Sequence, residues 1–575
     1  MFILGINAYH ADSSAAIFKD GVLIAATEEE RFRRIKHWAG LPSQAIEFCL
    51  KEAGISLREV DHVAIGRDPG AKLFRKLLFL LRNPSGSWKA IAERISNSKK
   101  VTSLESALFH IDPSVPIAEL KSRIHQVEHH RSHLASAFFA SPFKESAIFS
   151  IDGSGDFTTT MMAMGKDSGM EILNSIDFPH SVGVFYTAFT QWLGFPHYGD
   201  EYKVMGLAPY GDARYTDKLR EVLLFEPNGV FKLDLGYFRS PREGYISYDD
   251  HLPIVAQLYS DKLIESFGPA RKKEEPLSQY HKDVAASVQR ITEELIFHCL
   301  NDLYNKTKCE NICVAGGVAQ NSVANGKITR NTAFKHVYIP SAGHDAGISM
   351  GAGLYVNHQI LGKPRTAPIR TAYTGSSYSN SEIKAFLADK NLKYEYLEDD
   401  LLYERVADCI HQGGVVGWFS GRAEFGPRAL GGRSILADPT RADAKEILNT
   451  KVKRRESFRP FAPSILKEYV QDYFEVNDEV PFMEKVFPIR KEKQHLIPAV
   501  THVDGTGRLQ TVDRQFSPRY YALIEAFSRR SGIPILLNTS FNENEPIVNS
   551  PANALDCFLR TDMDLLALEN YIIYR

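Results

Sequence analysis

The chain has 575 residues, which at about 150 per domain allows two to four domains and several buried cores. Lys plus Arg total 68 against 70 Asp plus Glu, leaving a formal charge of −2; with 24% charged and 44% hydrophobic residues, this composition excludes a disordered chain and a whole-surface nucleic-acid binder. The six cysteines make no CxxC, which argues against zinc ribbons and a disulfide framework and points to a reducing, cytoplasmic compartment.

The N-terminus enters directly on an alternating apolar segment, Phe2 to Ala8, without the basic start and long apolar core of a signal peptide, so no export is expected. The longest apolar stretch, near Leu77 to Leu81, is far shorter than the roughly 20 residues that cross a bilayer. From FILGINAY through AAIFKDG and VLIAATEEE to SQAIEFCLKEAG and HVAIG, the chain reads as strands, a helix and a strand, which is an α/β unit. His10 and Asp12 fall in the turn after the first strand, where an imidazole can take a proton from an alcohol at neutral pH or merely cap the turn. Between Arg67 and Lys100, nine Lys/Arg face two Asp/Glu amid LFRKLLFLL and WKAIAERI, predicting a helical insertion with a solvated basic face.

In EHHRSHLASAF, His129 and His133 lie four apart at the head of a helical pattern, so both rings can reach one metal. Next, AIFSIDGSGDFTTTMMAM repeats the first strand pair with Asp152 and two glycines at its turn, suggesting a duplicated architecture. A long helix is predicted from Asp283 to Thr307; it leads into NICVAGGVAQNS and HVYIPSAGHDAGISMGAG, each a strand, a Gly-rich turn and a small-residue segment. Such turns suit phosphate binding, because helix-start N–H groups favour anions, and suit tight packing equally well. Asp152 and Asp345 sit at Gly-rich turns and can complete a site with the two histidines that fits Fe(II), Zn(II) or Mn(II).

HQILGKPRTAPIRTAY carries two prolines and three basic residues with no clear period, which places a domain boundary there: residues 1–358, a linker at 359–372, and a second α/β domain at 373–575. The second domain concentrates Arg and Lys beside Gly and Pro in FSGRAEFGPRALGGRS, KVKRRESFRPFAPS and GRLQTVDRQFSPRYY, followed by LNTSFN. Guanidinium forks bind phosphate and carboxylate oxygens bidentately, so a pocket for a nucleoside triphosphate and a small anion is expected.

NAYHADSSAA, TEEERFRRIKH, VEHHRSHLASAF, IDGSGD, EYKVMGLAPYG, VAGGVAQNSVANG, FGPRALGGRSILADP, FRPFAPS and LNTSFNENEPIV, in order along nearly the whole chain, resemble the O-carbamoyltransferases of nodulation and antibiotic tailoring. The resemblance implies a duplicated N-terminal domain of the actin and sugar-kinase type and a YrdC-like C-terminal domain. It further implies that carbamoyl phosphate and ATP, with Mg, give carbamoyl adenylate in the C-terminal domain, and that the carbamoyl group then passes to a small-molecule hydroxyl in the N-terminal one. On that resemblance Arg428, Lys453, Arg459 and Arg508 neutralise phosphates and Asn538 holds the carbamoyl amide. His129, His133, Asp152 and Asp345 hold the metal, with Fe(II) favoured; His10 deprotonates the acceptor and Lys36 contacts the adenylate. In YHADSSAA the Asp stands one residue beyond the position directly after the His, so no role is carried over to Asp12.

Neither nucleic acid nor a membrane is expected as a partner, and a homo-oligomer is compatible with the sequence. A hydrogenase-maturation type would carry an acylphosphatase domain and paired CxxC motifs, which this sequence lacks. A tRNA- or protein-modifying enzyme, and a non-catalytic nucleotide-gated protein of the actin-type fold, are the alternatives. The charge of −2 speaks against an RNA-facing surface, and the non-catalytic reading leaves the His pair and the basic second domain unexplained.

Overall fold

A computed structural model describes residues 1–82, 101 and 103–575. The chain forms two compact units: Met1–Glu30, Lys36–Ala324 and Ile328–Ile369 make the first, and Arg31–Ile35, Asn325–Lys327 and Arg370–Arg575 the second.

The first unit holds two five-stranded sheets of the same topology. β1 (Phe2–Asn7), β2 (Ser14–Lys19) and β3 (Val22–Glu28) form an antiparallel meander; β4 (His62–Ile65) lies parallel to β1, and β5 (Ile124–Gln126) parallel to β4, giving the order β3-β2-β1-β4-β5. β6 (Glu145–Gly155), β7 (Thr158–Lys166) and β8 (Gly169–Asp177) repeat the meander, with the strands Asn311–Ala315 and His336–Tyr338 added in parallel beside β6. The central strands β1 and β6 are buried nearly throughout, which explains their near-continuous apolar runs.

One helix from each half crosses to the other half's sheet. The helix His129–Phe138 follows β5 yet packs on β6, β7 and Asn311–Ala315, while the helix Gly347–Tyr355 packs on β1, β2 and β4. The two helices also pack on each other, and small residues permit it: a Cβ on Gly351 would lie 1.9 Å from the Ser132 carbonyl oxygen. Residues 361–369 carry no helix or strand but are strapped to the unit, because the Arg365 guanidinium donates to the carbonyls of Phe138 at 2.8 Å and Ser141 at 2.9 Å.

Of the expected basic insertion, residues 83–100 lie outside the described residues. Its described part is the helix Leu73–Arg82, and here the expectation of a solvated basic face needs correction. Lys72 and Arg75 are both bound to the Asp177 carboxylate, and Phe79 packs edge-on against Phe157 and Phe178. Leu73, Phe74, Leu77 and Leu81 face solvent together with Arg75, while the carboxylate of β8 draws Lys72 to the packed side, so the exposed face is mixed rather than basic.

The second unit is built on a nine-stranded mixed sheet, ordered Glu395–Tyr396, Tyr571–Tyr574, Leu565–Leu568, Val416–Phe419, Arg433–Ala437, Ile535–Ser540, Ala462–Leu466, Thr506–Val512 and Lys485–Pro488. Two separate buried clusters of apolar side chains form its core. Arg433 is fully buried over the Phe419 ring and donates from its two terminal nitrogens to the carbonyls of Ser376, Gly421 and Gly432, which keeps it in place.

Candidate functional site

In the first unit the turn after β1 carries His10 between Tyr9 and Asp12, both in the left-handed backbone region (φ 59° and 57°), an uncommon conformation for residues with side chains that clusters at functional turns. Asn7 pins this turn: its buried Nδ2 lies 3.1 Å from the Ala11 carbonyl, 3.0 Å from that of Asp12 and 3.1 Å from that of Asp345. The His10 Nδ1 is 2.7 Å from one carboxylate oxygen of Asp345, Oδ2.

The other Asp345 oxygen, Oδ1, belongs to a second grouping with His129, His133 and Asp152, all four buried, whose ligand atoms lie within 4.8 Å of one another. Each imidazole Nε2 approaches both carboxylates, His133 at 3.1 and 3.3 Å and His129 at 3.2 and 3.6 Å from Asp152 and Asp345 respectively. Four donors around one cation at bonds of about 2.1 Å stand roughly 3.0–3.4 Å apart, so these separations fit a metal. Asp345 Oδ1 is moreover buried without a hydrogen-bond partner, an acceptor left for a cation. Two imidazoles with two carboxylates suit a divalent transition ion. Burial works to raise the Asp152 carboxyl, but the hydrogen bonds and charge of the two imidazoles hold it well below the usual carboxylate range. Asp345, buried and repelled by Asp152, is likewise held down by His10 and His133.

The surroundings explain why these residues and not others face inward. Gly155 leaves the space that the His129 ring fills, since a Cβ there would lie 2.1 Å from it. His130, between the two candidate ligands, is spent elsewhere: its nitrogens meet Ser150 Oγ at 2.8 Å and the Thr158 carbonyl at 3.0 Å. Glu128 caps the helix by accepting from the Arg131 N–H at 2.8 Å. Burial pulls the His10 imidazolium toward deprotonation, and the Asp345 carboxylate outweighs this and raises its pKa.

Lys36 is exposed, whereas its neighbour His37 reaches inward, with Nδ1 2.8 Å from Asp12 Oδ1 and its N–H donating to Glu30 at 3.0 Å. Asp12, Glu30 and His37 form a second group of potential metal donors. No signal in the sequence singles out His37 from the basic run around it.

In the second unit Arg428, Arg455 and Arg459 each act electrostatically on Arg508, and Arg459 also pairs with Glu456 at 3.5 Å. Burial and the three neighbouring guanidiniums drive Arg508 well below its ordinary range, and burial lowers Arg428 to about 10. Cations gathered in this way suit an anion. Arg455, stacked over Phe461 at 4.5 Å, escapes the sequence reading, though it sits in the same KVKRRESFRPF run. Lys453 instead braces the backbone, since its ammonium donates to the carbonyls of Ser540 and Asn542, both at 2.7 Å, and to Asn542 Oδ1 at 2.8 Å, fixing the loop after Asn538. Asn538 is buried at the end of the strand Ile535–Ser540. The loop bearing Arg428 is held by Glu424, whose carboxylate accepts from the N–H groups of Leu430 and Gly432 at 2.7 Å each.

Among the described residues no helix is long and apolar enough to cross a membrane. The family model "Carbamoyltransferase N-terminus" matches residues 2–354 and "Carbamoyltransferase C-terminus" residues 407–575. A Synechocystis protein, sll1178, is 41% identical over 99% of this chain and 96% of its own length. The nodulation protein NolNO of Sinorhizobium fredii is 39% identical over 99% of this chain and 79% of its own. Among solved structures, HypF of T. kodakarensis has 12% identity and a TM-score of 0.29, covering 63% of this chain and 48% of that one. With both family models matched in order and relatives aligned from end to end, this chain belongs to the carbamoyltransferase family and is an enzyme of the carbamoyltransferase type.

Proposed function

We propose that the chain is an ATP-dependent O-carbamoyltransferase acting on a small-molecule hydroxyl. Carbamoyl phosphate, ATP and water yield carbamoyl adenylate, pyrophosphate and phosphate in a YrdC-like domain at 373–575; carbamoyl then replaces the acceptor's hydroxyl proton, releasing AMP, in an actin- and sugar-kinase-like domain at 1–358. The residues 359–372 link them. The observation that carries this reading is His10, whose Nδ1 stands 2.7 Å from a carboxylate that also faces the buried two-His, two-Asp grouping.

With Nδ1 engaged at 2.7 Å, the His10 ring offers Nε2 for the hydroxyl proton, and the Asp345 charge stabilises the imidazolium that results. A divalent metal held by His129, His133, Asp152 and Asp345 would supply Lewis-acid polarisation of the carbamoyl carbonyl. In the second unit Arg428, Arg459 and Arg508, joined by Arg455, bind phosphate oxygens, Lys453 fixes the loop beside Asn538, and the Asn538 amide receives the carbamoyl group.

The test has two stages. Enzyme, ATP-Mg and carbamoyl phosphate without acceptor should release pyrophosphate; adding a panel of sugar, aminoglycoside, macrolide and alkaloid alcohols should give, by mass spectrometry, a product heavier by one carbamoyl, with AMP. Absence of carbamoyl-phosphate-dependent pyrophosphate release overturns the adenylating reading.

A further inference from the structure

The strand Ile535–Ser540 presents Asn538, whose Oδ1 is buried without a hydrogen-bond partner in a residue only 1% exposed. Leaving a buried acceptor unmatched is unfavourable, so this oxygen marks where a donor from outside the protein belongs. Its partner atom, Nδ2, is by contrast fully occupied: it donates toward the Ala429 carbonyl at 3.1 Å, Ser464 Oγ at 3.1 Å and Gln510 Oε1 at 3.0 Å.

What fixes this orientation lies one residue further out. The Leu430 carbonyl can only accept, and Gln510 Nε2 donates to it at 2.7 Å. Gln510 Oε1 is thereby turned toward Asn538 and Ser464, accepting from the Ser464 hydroxyl at 2.5 Å as well as from Asn538 Nδ2. Reversing the Gln510 amide would set oxygen against the Leu430 carbonyl; reversing Asn538 would set oxygen against the Ala429 carbonyl and Gln510 Oε1. Strand register locks the arrangement, because Ser464 and Gln510 are direct neighbours on adjacent parallel strands.

We propose that Gln510, assisted by Ser464, is a positioning residue that holds Asn538 with its oxygen toward the substrate, so that the pocket accepts an N–H donor and selects the carbamoyl group over an acyl group ending in a methyl. The inference rests on the adenylating role proposed for this unit. A site built to bond a substrate N–H rejects the analogue lacking it by up to roughly 10⁴-fold, far more than a pocket of matching shape alone achieves.

Acetyl phosphate, the methyl isostere of carbamoyl phosphate, is the probe. In pyrophosphate-release assays on the full chain, Gln510→Met should raise KM for carbamoyl phosphate about tenfold or more and Ser464→Ala a few-fold. In both variants KM for ATP and the inhibition constant of acetyl phosphate should stay within twofold of the parent values. These quantities do not depend on the folded fraction, so a less stable variant still reports. The proposal is overturned if carbamoyl phosphate, ATP and acetyl phosphate all weaken together, which is a general structural defect, or if none moves in either variant. A parent enzyme that releases no pyrophosphate with carbamoyl phosphate removes the adenylating role and this inference with it.

Discussion

Asn7→Leu tests how the transfer site is held together. The substitution keeps the branched shape of the side chain, with somewhat larger methyl groups, but removes the donor that faces the carbonyls of Ala11, Asp12 and Asp345. An amide nitrogen has two hydrogens, so two buried acceptors lose a partner at about 1–3 kcal/mol each, less roughly 1 kcal/mol regained from the added apolar burial. The first unit should lose about 1–5 kcal/mol, read by urea unfolding. The turn carrying His10 and the one carrying Asp345 share this buried tie beside the His10–Asp345 contact itself, so their relative placement should loosen; an error of about 1 Å between reacting groups costs on the order of 10²-fold. Transfer from synthetic carbamoyl adenylate to an acceptor found in the panel should fall by that factor, while pyrophosphate release stays near normal, because Arg428, Arg459 and Arg508 belong to the other unit. Unfolding unchanged within 0.5 kcal/mol together with transfer within about threefold of the parent would refute the reasoning.

His133→Ala should strip the bound metal, measured by elemental analysis, and abolish transfer while pyrophosphate release continues; stoichiometric metal with full transfer would remove His133 from the donor set. His10→Ala should keep adenylate synthesis and lose roughly 10²- to 10⁴-fold in transfer, the range of general-base catalysis; equal loss in both assays with a lowered Tm would make His10 structural. Arg508→Ala should cost about 10²-fold or more in carbamoyl-phosphate-dependent pyrophosphate release, since a charge-assisted bond to phosphate is lost, and release at the parent rate would count against the anion pocket. Burial raises the Glu484 carboxyl from 4.5 to about 7, so between those values the folded state keeps a proton that the unfolded state gives up, and stability falls as pH rises. Glu484→Gln should therefore gain on the parent from pH 5 to 7.5 in urea melts, and a constant difference would show that Glu484 titrates normally.

Local signals made much of the first unit legible. Apolar runs bounded by Gly and Asp mark β1, β2, β6 and β7, and a spacing of four placed His129 and His133 on one face before any tertiary information existed. What could not be read lies in contacts without sequence proximity. Asn7 looks like any polar strand-end residue, and its bond to the Asp345 carbonyl joins positions 338 apart. His37 and Lys36 are equally plausible in a basic run, and only the fold turns His37 toward Asp12. Lys453 shows the opposite limit: its charge invites a phosphate, yet the Ser540 and Asn542 oxygens surround its ammonium. Arg455 hid in a run crowded with basic residues, and only its proximity to Arg508 distinguishes it.

The two sheets of the first unit share one strand order, so the turn after β1 corresponds to the turn after β6, and the start of the helix His129–Phe138 to the approach to Gly347–Tyr355. His10 follows β1 and Asp152 lies toward the end of β6, while the His129/His133 pair and Asp345 each stand where a half sends its helix across. The side chains offered from the two directions differ: the first half contributes the imidazoles His10, His129 and His133, the second the carboxylates Asp152 and Asp345. A symmetric frame thereby acquired a front and a back, and a reaction with distinct donor and acceptor requires that handedness.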